Sequence, residues 1–498
     1  MQKVRILKVL AVMGIMLLLL PTNLMAERIP VAILRTNADG KTKTLTFTYA
    51  ERPKVFARRG QNGIHRLNKG MFKDKPEHYK NFNIIEDRPT WLDMKSDGGL
   101  NYVNNDKITT VKFDKSFSMA RPTSTFFWFC GLRKLKTIIG IENLNTSEVK
   151  YMNSMFLECC SLTELDLCGF NTANVEDMGS MFWLCSQLKT LDISGFNTAN
   201  VDYMMAMFSG CSQLESIDVS GFNTANVQNM GAMFEGCSQL KTIDVSGFNT
   251  ANVDYMLGMF SGCSQLESID VSGFNTTNVK NMGGMFEGCS QLESIDVSGF
   301  NTANVDDMIG MFSGCSQLES IDVSGFNTAN VEDMGRMFEG CSQLETIDVS
   351  GFNTANLLGM SCMFRGCRNL KSIDISPFNI GKIVSKVYYY DGIWNNEEEK
   401  RELLHKCVDD IFSGCSNLRT INIGGNDFSI FATYNADIPG DVFKGVGTID
   451  SPCRLIVNQQ FDQSVLGPKH DNGNGGFYRW LNGYFTLDTA RPESETNY

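Results

Sequence analysis

Aspartate returns every 26 residues, at Asp166, Asp192, Asp218, Asp244, Asp270, Asp296, Asp322, Asp348 and Asp374, and the series ends at Asn422. Ser or Thr stands two residues to either side in most copies. If the copies stack at the strand spacing of a sheet, about 4.7 to 4.9 Å, the carboxylates form a column. Their mutual repulsion is expected to raise some of their pKa values and to favour bound cations. One reading is a hydroxyl-flanked acidic stripe that recruits Ca²⁺ or a basic protein surface. The other is a solvated face whose charge keeps it soluble and prevents wrong pairing.

A cysteine column runs in parallel through Cys130, Cys159, Cys185, Cys211, Cys237, Cys263, Cys289, Cys315, Cys341, Cys367 and Cys415. The total of 16 would ordinarily suggest a disulfide framework in an exported chain. In a stack, however, the Cβ vectors of equivalent residues run parallel and do not face one another, so buried thiols are expected. A straight column does not supply the converging ligands that zinc needs. Off the column, Cys407 and Cys453 could pair with each other. The Met pairs, such as Met230 with Met233, are read as adaptable core filler, with an oxidant sink as the alternative. Asn171, Asn197, Asn223, Asn249, Asn275, Asn301, Asn327 and Asn353 are placed to satisfy turn backbone groups.

Conventional catalytic chemistry is missing. The four histidines, His65, His78, His405 and His470, lie outside the uniform repeats. No nucleophile with a base, no HExxH and no P-loop occurs, and repeated identical carboxylates do not make an acid and a base with distinct environments. No catalytic residue is assigned, and a hydrolase in residues 27–125 is kept only as a remote alternative.

These columns need an element that repeats with them. Met-Phe starts at Met155, Met181, Met207, Met233, Met259, Met285, Met311 and Met337, and degenerate copies at Phe126, Met363 and Ile411 make about eleven rungs. A period of 26 residues signals a solenoid with atypical end repeats. Alternate starts read MFSG and MFEG, so the copied unit is a 52-residue pair. Within a rung, LESIDVSGF predicts a short strand with Ile217 and Val219 inward and Asp218 outward. Asn226 is then placed to cap a short helix, VQNMGAMFEGC, whose Val227, Met230, Met233, Phe234 and Cys237 fall at spacings of three and four.

The run M-F-x-x-C-x-x-L-x-x-I-x-V resembles the leucine-rich repeat of BspA-like bacterial surface proteins. The longer S-G-F-N-T-x-N-V-x-x-M-x-x-M-F resembles the Met-rich branch of that family, and the likeness covers about Phe126 to Ile423. The resemblance implies an exported surface protein of host-associated bacteria whose repeats mediate adhesion or protein binding. Ser220 and its equivalents stand where many relatives have Pro, which returns at Pro377. Phe222 occupies the place of the generic Asn or Cys, so the turn after the strand is expected to differ from the commonest horseshoe.

The rest of the chain frames the repeats. Residues 1–26 carry Lys3, Arg5 and Lys8, an apolar run from Val9 to Leu20 and a small-residue end at Ala26, and so read as a secretory signal peptide. Residues 27–125 read as a leader or cap domain, with strands in TKTLTFTYAERP and ITTVKFDKSF. The solenoid spans 126–378. An insertion at 379–410 holds the aromatic cluster Tyr388, Tyr389, Tyr390 and Trp394 ahead of a helix capped by Asn396. A degenerate repeat follows at 411–425, then a β-rich cap at 426–498.

The net charge of −12 argues against nucleic acid, and no segment of the mature chain is apolar for long enough to span a membrane. The expected fold is therefore α/β, a leucine-rich repeat solenoid with a parallel sheet on one face and short helices on the other, between two caps. The expected function is a secreted or surface-held, non-enzymatic protein that binds host extracellular or surface proteins. The acidic column and the aromatic insertion are the candidate contacts, and no cofactor is called beyond Ca²⁺ on the column. The alternative is a structural or glycan-binding component of the cell envelope.

Overall fold

The computed structural model of the chain describes residues 28–51, 56–58, 61–67, 105–379, 410–426, 442–459, 461–471 and 476–489. The segment read as a signal peptide, the aromatic cluster with the helix expected after it, and Cys407 lie outside the described residues. Two compact units emerge: Met1–Thr123 with Gly131–Thr146, and Ser124–Cys130 with Ser147–Tyr498.

The first unit is a five-stranded sheet. Strands β1 (Arg28–Thr36), β2 (Lys43–Glu51), β3 (Gly63–Arg66), β4 (Ile108–Phe113) and β5 (Thr137–Ile139) lie in the order β3-β1-β2-β4-β5. The two segments read as strands from TKTLTFTYAERP and ITTVKFDKSF are β2 and β4. Between β1 and β2 the chain reverses through Asn37 to Gly40, where Gly40 takes φ 66° and Asp39 accepts the backbone N–H groups of Lys41 and Thr42 at 2.8 Å. Alternation then sends Leu45 and Phe47 inward, and Phe47 stacks on Phe113 at 4.7 Å.

The second unit is built of rungs. Its core repeats with the sequence: Val227, Met230, Met233, Phe234, Cys237 and Leu240 are all fully buried, as are their equivalents in the neighbouring rungs. The Phe rings stack one per rung, Phe208 on Phe234 at 5.4 Å and Phe234 on Phe260 at 5.7 Å. Met fills the space beside them, as expected of an unbranched, adaptable side chain.

The helix expected over VQNMGAMFEGC is not formed. That segment is a chain of turns in every rung. Alternate N–H groups leave the rung altogether. Met230, Ala232, Phe234 and Gly236 donate to the carbonyls of Tyr255, Leu257, Met259 and Ser261 in the next rung, at 2.6 to 3.1 Å. The N–H groups between them close local turns, Met233 to Met230, Glu235 to Ala232 and Cys237 to Phe234. Past its first turn an α-helix keeps its donors within the segment; a rung with neighbours on both sides shares them with the next rung. Left-handed φ at Ala232 (54°) and Gly236 (69°) breaks helical continuity. Asn226, expected to cap the helix, instead donates its Nδ2 to the Ala199 carbonyl of the preceding rung at 2.7 Å.

The parallel sheet also sits differently from expectation. On the Asp-bearing side, strands pair only near the ends of the series. There β6 (Glu164–Asp166) pairs with β7 (Thr190–Asp192), and β8 (Ser372–Asp374) pairs with β9 (Thr420–Gly424). In the rungs between, the L-E-S-I-D-V segments form no strand pairs. The continuous parallel ladder lies on the Met-Phe side, as single-residue bridges from Ser124 through Tyr151, Asp177, Tyr203, Asn229, Tyr255, Asn281, Asp307 and Asp333 to Gly359. Rungs are correspondingly closer there. On the other side the Phe352 and Phe378 rings lie 6.5 Å apart, against 5.7 Å for Phe338 and Phe364.

A buried threonine column ties the rungs at a third place. Thr250 Oγ1 donates to the Asn275 carbonyl at 3.0 Å, and two copies earlier Thr198 Oγ1 also accepts the Asn223 N–H at 2.8 Å. Beyond the last rung, β10 (Cys453–Val457), β11 (Lys469–His470), β12 (Phe477–Trp480) and β13 (Gly483–Thr489) extend β8 and β9 into a six-stranded sheet, order β11-β12-β13-β10-β9-β8. Phe443 continues the ring stack on Phe412 at 5.6 Å and meets Phe485 edge-on, so the apolar end of the stack is covered.

Candidate functional site: two faces of the repeat stack

The aspartates are brought into one exposed column, as the period requires, but each is occupied by its own turn. Asp218 Oδ1 accepts the Ser220 N–H at 3.0 Å and the Ser220 hydroxyl at 2.7 Å. The same pair of bonds recurs at Asp192, Asp244, Asp270, Asp296 and Asp322. At Asp166, Asp348 and Asp374 the backbone N–H two residues on makes the contact. The serine hydroxyl and then its N–H hold the carboxyls of Asp218, Asp244, Asp270, Asp296 and Asp322 below the ordinary carboxylate range.

This corrects the expectation of raised values. Neighbouring carboxylates do push upward at Asp244, Asp296 and Asp348, but less than the turn bonds pull down. The physical reason is that a short bond to an ionised acceptor outweighs screened repulsion across solvent. Because the folded pKa is depressed, the stabilisation is present above the unfolded value, about 3.9, and is lost as pH falls through the lower folded value. Replacing Ser220, Ser246 and Ser272 together by Ala is expected to lower the melting temperature at pH 7, with the difference closing as pH falls below the unfolded value and through the lowered folded ones. An equal deficit at every pH would contradict the assignment.

At the first pair of strands Cys168 replaces the serine. Asp166, Cys168 and Asp192 place one ligand atom each within 4.8 Å of one another, all three exposed. Asp166, by hydrogen bond and by charge, holds the Cys168 thiol protonated above its usual range. The column thiols differ in kind. All are buried, and from Cys159 to Cys415 each donates to a Phe carbonyl of the preceding rung, as Cys237 Sγ does to the Phe208 carbonyl at 3.3 Å. Burial pushes Cys263 and Cys341 up to about 12. All the described cysteines are free thiols. Because Cys168 is exposed but held protonated, iodoacetamide at pH 9 is expected to label it slowly in the native protein and to reach Cys237 or Cys263 only after denaturation. Equal native and denatured labelling of Cys237 would contradict this.

The asparagines do what the sequence suggested: Asn223 Oδ1 accepts the Ala225 N–H at 3.1 Å, and Asn249 repeats it.

The Met-Phe side holds a surface that the sequence reading missed. Two residues before the repeat starts from Met181 to Met337, the chain alternates between a buried glycine and an exposed apolar side chain. Met205, Leu257 and Ile309 are 40%, 50% and 41% exposed, and Gly231, Gly283 and Gly335 stand between them. Their backbones are in register, since Ala206, Ala232, Gly258 and Gly284 donate in turn to the carbonyls of Gly231, Leu257, Gly283 and Ile309. Tyr203 and Tyr255 flank the first two, and Tyr203 donates its hydroxyl to Met205 Sδ at 3.0 Å. A side chain at Gly283 would crowd Leu257 Cδ1 at 3.2 Å, and one at Gly179 would strike the Tyr203 ring at 2.7 Å. The glycines therefore make room for the large side chains of adjoining rungs. The signal was in the 52-residue pairing, read only at Ser and Glu after Met-Phe; the same alternation stands four residues earlier.

Asp177 lies on this side, half-buried beside Tyr203. Desolvation is the main cause of a pKa raised to about 7; the Gly179 N–H on its Oδ1 opposes that rise, and Asp202 adds to it. Asp333 is shifted in the same direction for the same first reason.

The family described as "Mycoplasma protein of unknown function, DUF285" matches residues 115–217, 203–295 and 284–400, together more than half of the chain. The chain belongs to the DUF285 family. The matched DUF285 segments overlap and fall on successive rungs, in keeping with the repeated geometry above. No curated protein matches this DUF285 chain. A solved leucine-rich repeat protein from Bacteroides ovatus is similar over 70% of this chain and 93% of that one, at 16% identity and a TM-score of 0.26. That likeness is too slight to add to the rung geometry. Among the described residues no helix is long and apolar enough to cross a membrane.

Proposed function

We propose that this DUF285-family chain is an exported, non-enzymatic surface protein whose repeat stack binds proteins of a host, in the manner of the BspA-like leucine-rich repeat proteins it resembles. The observation that carries the reading is the presentation of the same side chains at a fixed pitch along uninterrupted rungs. A column of acidic turns on one side and alternating apolar residues on the other repeat the same weak contact many times. Repeated weak contacts on one rigid body gain avidity through effective concentration without any single strong site. The aspartates serve their turns first and contribute a negative field second, which favours partners with basic surfaces.

Purified mature protein and a version lacking residues 207–362, six whole rungs, should be compared for capture of a defined panel of extracellular matrix proteins and immobilised glycans. The deletion keeps the rung phase, and its melting curve reports whether it folds. Loss of matrix-protein capture supports the reading. Unchanged capture makes the repeats a spacer, and capture of glycans alone favours the envelope role.

A further inference from the structure

From the Met-Phe side we infer a docking surface for a cationic amphipathic α-helix of a partner protein, lying along the direction in which the rungs stack. This rests on the protein-binding reading and names the face and the partner's chemistry. Three observations fix the occupant.

The first is apolar exposure in a file. Met205, Leu257 and Ile309 stand clear of the core at one position in every second rung, 40 to 50% exposed, while the equivalents between them are buried glycines. The core does not need them: Gly231, Gly283 and Gly335 fill the same place without loss of the ladder.

The second is pitch. Two rungs at strand spacing advance about 10 Å, and seven residues of an α-helix advance about 10.5 Å. A helix with an apolar residue at every seventh position therefore meets Met205, Leu257 and Ile309 in succession, drifting out of step by only about 2 Å over the set.

The third is charge. Each apolar rung carries an aspartate three residues earlier, Asp202, Asp254 and Asp306, and the glycine rungs carry Glu235 and Glu287 two residues after their starts. Lys280 is the one base among the residues at the first of these positions from Glu176 to Glu332. A second copy of this chain would bring acid against acid, and an anionic lipid surface would be repelled. Lys or Arg beside the apolar positions of the helix meets the carboxylates.

The test uses the full mature chain and synthetic helices of three heptads, with Leu at every seventh position, Lys flanking it and a fluorophore for anisotropy. Binding is expected, weakening as salt is raised. The variant Met205→Ser/Leu257→Ser/Ile309→Ser is expected to weaken it by about 10-fold or more. Ser361 already occupies the equivalent position before the degenerate rung that starts at Met363, so the variant should fold, and its melting curve checks this. A peptide with Glu in place of Lys, and one with the Leu positions scrambled off the heptad, should both fail to bind.

Equal binding by the triple-serine variant, or by the scrambled peptide, overturns the inference. So does equal binding by a polyproline peptide of the same charge, or dimerisation of the chain that the triple-serine change abolishes. If the helices do not bind but deleting residues 207–362 still removes matrix-protein capture, this face is wrong and the protein-binding function stands. If that deletion changes nothing, both fall.

Discussion

Phe260→Ala is expected to lower stability by about 3 to 5 kcal/mol, the usual cost of emptying a buried phenylalanine site. Phe260 is fully buried and stacks on Phe234 and Phe286, each at 5.7 Å. Its removal breaks the file of rings and leaves a void between rungs whose backbones are pinned by the inter-rung ladder, so collapse around the gap is resisted. In a stack each rung contacts only its neighbours, and the damage should stay local. Hydrogen exchange read by mass spectrometry should show protection lost first in the rungs starting at 233, 259 and 285. Rungs starting at 155 and 181 should keep theirs. A uniform loss along the chain would mean the rungs are coupled more globally than the nearest-neighbour bonds indicate.

Asp177→Asn is expected to stabilise the protein, and only at neutral and higher pH. The fold raises this carboxyl to about 7, so the folded state holds the proton more tightly than the unfolded chain does. The favourable contribution is complete below the unfolded value, about 3.9, and is lost as pH rises through about 7. Asn keeps the acceptor for the Gly179 N–H, as Asn229 and Asn281 do in equivalent positions, where their Oδ1 atoms accept from Gly231 and Gly283 at 2.9 Å. Discounted for the solvent that reaches a half-buried side chain, the gain at pH 8 is about 2 kcal/mol. Melting temperatures of the two proteins should converge towards pH 4. A variant less stable at all pH values would show that the carboxylate itself is needed.

The two aspartate positions are chemically the same residue and titrate in opposite directions for a local reason. On the exposed column a serine hydroxyl lies at hand and water is near, so the charged form wins. At Asp177 burial beside Tyr203 strips the carboxyl of water, the Asp202 charge adds to the effect, and the neutral form wins. The sequence distinguishes them only through their repeat position.

The period carried most of the core. Val, Met, Met, Phe, Cys and Leu at their positions in the rung were legible as inward-facing, and they are buried. The helix was not legible as absent, because spacings of three and four suit a chain of turns as well as a helix. What separates the two is the left-handed residue, and the clue was glycine. Gly210, Gly236, Gly262, Gly288, Gly314, Gly340 and Gly366 all take positive φ inside or beside the supposed helix, as do Gly258, Gly284 and Gly310 just before the repeat start.

Alternation in L-E-S-I-D-V is the stronger strand signal, and it points to the Asp side as the continuous sheet. Which side holds the ladder is decided between rungs, and one rung's sequence does not carry it. Four inter-rung bonds from Met230, Ala232, Phe234 and Gly236 set the pitch, and the Asp side follows. The threonine of F-N-T-x-N is not legible as buried from one rung, because the asparagines beside it carry the turn signal and its partner carbonyl lies in the next rung. The acidic column was legible as a column; its service to the turns was readable from D-V-S only once the serine was seen two residues away.

The central claim is that the rungs bind by repetition. Removing the 52-residue units one at a time, residues 207–258, then 259–310, then 311–362, gives proteins with the phase intact and one, two or three units fewer. Affinity for a matrix protein captured by the full chain should fall in steps with each unit removed, while the melting curve stays cooperative. Affinity that stays level until all three units are gone, or that does not fall even then, would contradict it.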